Sequence, residues 1–170
     1  RSSDLKVAEA AGRNLKKVVL ELGGSDPFIV MPSADLDTAA KTAVIARTQN
    51  TGQSCICAKR MIVHAQVYDA FLEKFSTGMK AVVAGDPMDS ATDMGPLSSE
   101  AQRQTVLDQI AAIEQAGGRL LFGGKPLPGK GAFLSAGVLA EVPPDDPVAQ
   151  EEVFGPVAML FRAESVDDAI

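Results

Sequence analysis

Three short stretches of this chain carry residue types that can do chemistry. Asn50-Thr51-Gly52-Gln53-Ser54-Cys55-Ile56-Cys57 holds both cysteines of the sequence in a turn rich in glycine and side-chain amides. A cysteine in such a turn acts as a nucleophile where its surroundings favour the thiolate, whereas a cysteine in a core is a small inert hydrophobe. Either description fits Cys55 and Cys57 from this stretch alone. Glu21 is the second candidate, a lone carboxylate in the apolar run Val18-Val19-Leu20-Glu21-Leu22 with Gly23-Gly24 directly after it. Held in an apolar site, such a group becomes a base near neutrality; on the wet face of an edge strand it is a surface residue. Two glycines after a strand often make room for a ligand. The third stretch is Glu151-Glu152-Val153-Phe154-Gly155-Pro156. It is either a solvated acidic loop or a carboxylate beside an aromatic wall on which a planar ring can lie.

The remaining polar chemistry is thin. His64 is the single histidine, beyond the apolar run Met61-Ile62-Val63 and without an evident Asp or Asn partner, so a cysteine–histidine dyad has little support. One histidine and one Cys-x-Cys do not supply the ligands of a structural zinc, and no metal is assigned. A thiolate at Cys55 must then be favoured by backbone amides, by a cation such as Lys59 or Arg60, or by a bound cofactor. Two cysteines so close make a strained structural staple, which fits a reducing, cytoplasmic setting.

The bulk numbers narrow the class. A chain of 170 residues, 46% apolar and 5% aromatic, is long enough for one compact unit with a real core. No apolar run approaches the roughly 20 residues of a bilayer-crossing helix, and no secretion signal is evident. The net charge of −6 comes from scattered acidic and basic residues, so neither a nucleic-acid surface nor a membrane partner is expected.

The elements that must position these stretches alternate. A helix is expected from Asp4 to Asn14, a buried strand over Val18–Leu22 carrying Glu21, and a second strand over Phe28–Met31. Asp35-Leu36-Asp37 opens a helix with a small-residue face at Ala39, Ala40, Ala43 and Ala46, and this helix delivers the chain to Asn50. A strand over Met61–Val63 and a helix over Tyr68–Val83 follow, the latter with Phe71, Leu72, Phe75 and Met79 inward. After a Gly/Pro-rich loop, Ser99 and Gln102 stand at capping-box spacing ahead of a helix with Val106, Leu107, Ile110 and Ile113 inward. Strands over Arg119–Phe122, Phe133–Val142 and Val157–Phe161 complete an α/β pattern with a largely parallel sheet flanked by helices. Both ends look cut, because Ser165 caps a helix that has only begun at Ile170.

Taken together and in this order, the three stretches resemble the aldehyde dehydrogenase superfamily. Leu20-Glu21-Leu22-Gly23-Gly24 is similar to its glutamate motif, Asn50–Cys55 to its cysteine motif, and Glu151–Pro156 to its cofactor-loop motif. Gly85-Asp86-Pro87 and Gly95-Pro96-Leu97 are similar to family loops. The resemblance implies that Cys55 is the nucleophile and Glu21 the general base. It also implies that Glu152, with Phe154 and Leu22, holds the nicotinamide end of NAD or NADP. Residues 1–23 would be the end of the cofactor-binding domain and residues 24–170 most of the catalytic domain, so the chain by itself is expected to be inactive. The parent would be a homo-oligomer, a dimer or a tetramer, acting on a small aldehyde.

Gln49–Cys55 and Gly24-Ser25-Asp26-Pro27 look most like the bacterial succinate-semialdehyde dehydrogenases. Gln49 departs from the arginine that some members place there to bind the substrate carboxylate, and Thr48 stands where an aromatic is common. Cys57, two positions after the implied nucleophile, is either a packed small residue or a partner for a reversible disulfide with Cys55. Two other functions stay open: a noncatalytic structural or pseudoenzyme module, and a cofactor-independent thiol esterase built on Cys55.

Overall fold

A computed structural model describes residues 2–170, with side chains from Asp4 onward. Its elements are α1 (Ser2–Arg13), β1 (Pro27–Val30), α2 (Leu36–Thr48), β2 (Arg60–His64), α3 (Tyr68–Ala81), α4 (Glu100–Gln115), β3 (Arg119–Phe122), β4 (Gly137–Ala140), β5 (Val157–Ala163) and α5 (Val166–Ala169). The strands form one sheet in the order β1-β2-β5-β4-β3. β1, β2, β5 and β4 run parallel, and β3 closes the edge antiparallel to β4.

Alternation along the inner strands sorts their side chains into two cores. Ala158 and Leu160 of β5 face the side covered by α2 and α3, where they meet Met61, Val63, Phe71, Phe75 and Met79. Val157 and Met159 face the opposite side, where α4 brings Val106, Ile110 and Ile113. The period-2 side-chain direction of a strand makes both faces of β5 apolar, as a sheet with helices on each side requires.

Local chemistry accounts for the helices. Asp35 caps α2 through Oδ1, which accepts from the N–H groups of Asp37 at 3.0 Å and Thr38 at 3.2 Å. Gly78 of α3 lets α2 come close: a Cβ there would lie 2.7 Å from Val44 Cγ2. Ser99 Oγ caps α4 by accepting from Gln102 N–H at 3.1 Å. The reciprocal half of that capping box is not made, because the Gln102 side chain donates to Phe154 O instead, at 2.9 Å. Ser165 caps α5 as expected, accepting from Asp168 N–H.

Two strand expectations need correction. Residues 18–22 form no strand; the segment from 16 to 26 is irregular and mostly exposed, with Val19 88% and Leu22 45% accessible. A strand exists only where a neighbour takes its backbone hydrogen bonds, and β1 pairs with β2 alone. Apolar composition by itself supplies no partner. The second correction is length: the run from Phe133 shortens to Gly137–Ala140, because Leu134 forms an isolated bridge to Pro126 before the ladder with β5 begins.

The fold assigns stability to β5 and little to α1. Leu160→Ala, at a fully buried site, should lower the unfolding free energy by about 3 kcal/mol. Leu5→Ala, at a site 72% exposed, should change it by less than about 0.5 kcal/mol; urea denaturation of both variants checks the contrast.

Candidate active site

The cysteine turn has an unusual backbone. Asn50, Thr51 and Gly52 all lie in the left-handed region, with φ of 48°, 57° and 73°. Thr51 is β-branched, and such a residue at positive φ is a true outlier that its surroundings must hold in place. They do so: Thr51 is buried and its Oγ1 donates to Gly95 O at 3.2 Å, while Gln53 Oε1 accepts from Ser98 N–H at 2.8 Å. The loop between α3 and α4 therefore clamps the turn. Gly52 is tightly enclosed, since a Cβ there would lie 2.3 Å from Gly155 O and 2.8 Å from Arg47 Nη2. Only a residue without Cβ lets the cysteine turn lie against the loop that ends at Gly155 and Pro156.

Past this turn the two cysteines separate in character. Cys55 is exposed, beside Ile56 at 71% accessible. Cys57 is fully buried and its thiol donates to Gln49 O at 3.5 Å, the environment of a packed small residue. Both are free thiols. Thr48 is also engaged, its hydroxyl donating back to Val44 O at 2.8 Å.

Two fully buried cations lie under the turn. Lys59 Nζ donates to Ser54 O at 3.0 Å and Cys55 O at 2.7 Å, and lies 3.3 Å from Glu152 Oε1. Arg47 Nη2 donates to Gly52 O at 2.7 Å. Burial pushes the Arg47 pKa down to about 10, while Cys57 and Glu152 pull it back up, so the guanidinium stays charged near neutrality. Of the cations considered from sequence, Lys59 is thus in the site. Arg60 is not: its Nε donates to Ser25 O at 2.8 Å and holds the chain just after Gly24.

Glu152 is the meeting point of the three stretches. Besides Lys59, it lies against Gly23, where a Cβ would come within 2.5 Å of Glu152 Oε2. The glutamate stretch therefore reaches the cluster through Gly23, while Glu21, two residues earlier, stays exposed to solvent. Leu22 is likewise exposed and Phe154 is half-buried. His64 ends β2, its Nδ1 accepting from Gln66 N–H at 3.2 Å, outside this cluster. Among the described residues no group of His, Cys, Asp and Glu side chains has the makings of a metal site.

Sequence reasoning missed the groups that hold the third stretch. Gln102 donates to Phe154 O, and Gln109 Nε2 donates to Glu152 O at 3.1 Å and Glu151 Oε2 at 3.2 Å. Seven residues apart, the two glutamines share one face of α4 and fix the loop on both sides of Val153. The signal was present as a polar pair at helical spacing interrupting an apolar face. Arg47 was missed as well, hidden among the alanines of α2.

A family model described as the aldehyde dehydrogenase family matches residues 4–170. The chain belongs to the aldehyde dehydrogenase family. It is 56% identical over 164 residues to a succinate-semialdehyde dehydrogenase [NADP(+)] of Mycolicibacterium paratuberculosis, covering 96% of this chain and 35% of that protein. It superposes on lactaldehyde dehydrogenase from Escherichia coli with a TM-score of 0.95 at 37% identity, over 99% of this chain and 35% of that one. The succinate-semialdehyde dehydrogenase of Burkholderia pseudomallei gives 0.91 at 38% identity, over 98% and 35%. This aldehyde dehydrogenase chain thus spans about a third of the length of the curated relatives it matches.

The Gly52–Gly155 contact yields a direct test. Gly117 has φ of 107° with nothing within 4 Å of where a Cβ would stand, so Gly117→Ala isolates backbone strain of about 1 kcal/mol. Gly52→Ala adds the collision with Gly155 O and should cost at least about 2 kcal/mol more, read by urea denaturation.

Proposed function

We propose that the protein to which this chain belongs oxidises an aldehyde, with succinate semialdehyde as the substrate, to the carboxylic acid using NADP or NAD. The observation that carries this reading is the convergence of three separated stretches on Glu152 and the carbonyls beside Cys55, in a chain of this family. The substrate assignment rests on the names of the two succinate-semialdehyde dehydrogenases described above.

Each residue has a definite task in this reading. Cys55, exposed at the end of a strained and clamped turn, presents its sulfur to the aldehyde carbon. Its addition gives a thiohemiacetal, and the Cys55 backbone N–H helps to hold the oxyanion. A nicotinamide held there would supply the acceptor for the hydride that leaves the thiohemiacetal carbon. A thioester remains on Cys55. Glu21 takes a proton from the water that attacks this thioester, the carboxylic acid departs, and the thiol is restored. Glu152 holds the nicotinamide ribose, flanked by Phe154 and Leu22. The residues suit such a group: a carboxylate accepts from ribose hydroxyls, and glycine at position 23 lets that carboxylate lie against the glutamate stretch, since a Cβ there would come within 2.5 Å of Glu152 Oε2. The two buried cations beneath the turn favour negative charge developing above it.

Residues 1–23 then belong to the cofactor-binding domain and residues 24–170 to the catalytic domain. The exposure of residues 16–26 is consistent with a segment whose sheet neighbours lie in the former. A homo-oligomeric parent in a reducing cytoplasm completes the proposal.

The assay uses the full-length parent with succinate semialdehyde and NADP+, following absorbance of the reduced cofactor. Cys55→Ala should abolish turnover, and Glu21→Gln should lower steady-state turnover by about 100-fold or more while a stoichiometric first burst persists. Ester cleavage by Cys55 without cofactor, and no cofactor reduction, would overturn the dehydrogenase reading in favour of a thiol esterase. The 170-residue chain alone should reduce no cofactor.

A further inference from the structure

Lys59 is an expensive residue in an expensive place. Its side chain is 0% exposed, and an ammonium stripped of water must have its charge and its three protons satisfied by the protein. Ser54 O and Cys55 O accept two of those protons, and the Glu152 carboxylate, with Oε1 at 3.3 Å, balances the charge. Two are the carbonyls at and before the proposed nucleophile and one is the proposed ribose carboxylate. None belongs to the sheet or to a helix.

The root of the side chain is equally fixed. Lys59 N–H donates to Asp26 O at 3.0 Å, and Lys59 O accepts from Met159 N–H at 3.0 Å. The residue is therefore held on one side by the segment leading into β1 and on the other by the central strand β5. From that anchored backbone the ammonium reaches both the cysteine turn and the cofactor loop with one rotamer. Arg47 grips Gly52 O from below the same turn, whereas Lys59 joins the carbonyls around Cys55 directly to the Glu152 carboxylate.

We propose that Lys59 is a positioning residue that sets the nucleophile and the cofactor-binding carboxylate in one frame, through simultaneous contacts to the carbonyls of Ser54 and Cys55 and to Glu152. This inference rests on the dehydrogenase reading of the site. A uniformly structural lysine would lower stability when removed and leave cofactor and aldehyde affinities in proportion. A lysine that aims Glu152 changes the cofactor side selectively, because the carboxylate loses the charge that fixes its rotamer.

The experiment uses the full-length parent and four forms: unmutated, Lys59→Met, Glu152→Gln and the double variant. NADP+ affinity is measured directly by calorimetry, and KM values for NADP+ and aldehyde by initial rates. Lys59→Met should weaken NADP+ binding about tenfold and leave the aldehyde KM within about twofold. In the Glu152→Gln background the same substitution should add less than about twofold, since the two groups act as a pair. Should Lys59→Met fail to fold, Lys59→Gln takes its place, its amide keeping donors for the carbonyls while dropping the charge. Folded Lys59→Met or Lys59→Gln enzyme that binds NADP+ as the parent does, or equal losses in both backgrounds, overturns the positioning role. An unmutated parent that neither binds nor reduces NADP+ overturns the dehydrogenase reading and this inference with it; a working parent with unaffected variants overturns this inference alone.

Discussion

The site depends on one close approach, that of Gly52 to the carbonyl of Gly155. It brings together a turn that follows α2 and a loop that precedes β5, about a hundred residues apart in the chain. The approach needs a left-handed backbone and no Cβ at the same position, so glycine is required there twice over. The strain spreads backward into Thr51 and Asn50, whose positive φ values are maintained by burial and by the hydrogen bonds to Gly95 and Ser98. Cys55, which follows this held turn, is exposed.

Charge is arranged around the same contact. Arg47 and Lys59, both fully buried, direct donors to backbone carbonyls of the cysteine turn, and Glu152 balances part of their charge. Buried ion pairs contribute little net stability, because desolvation opposes the attraction. Their value lies in geometry, since a charged hydrogen bond in a poorly solvated place has few alternatives. The glutamines of α4 extend this frame outward, so that the loop carrying Glu152 and Phe154 is held from the sheet side by Lys59 and from the helix side by Gln102 and Gln109.

Much of the fold was legible because its signals are local. The caps at Asp35, Ser99 and Ser165 act within three residues of themselves, and the apolar stripes of α3 and α4 repeat at helical spacing. The failures share a cause. Val18–Leu22 has the composition of a strand, yet a strand is a property of two segments, and this one finds no neighbour in the sheet. Gln102 matched a capping box by spacing, but its amide found a stronger claim at Phe154 O, 52 positions away.

The sequence by itself determined the family, the order of the elements apart from the strand expected at Val18–Leu22, and the identity of Cys55, Glu21, Glu152 and Phe154 as candidates, because those depend on residue type and spacing along the chain. From residue type it left the two cysteines alike, the family resemblance alone setting Cys55 apart, and it offered Lys59 and Arg60 as equal partners. Tertiary structure separated both pairs, exposing Cys55 and burying Cys57, turning Lys59 under the turn and Arg60 toward Ser25. Burial and long-range hydrogen bonds are set by what folds alongside a residue, and no local pattern contains that information.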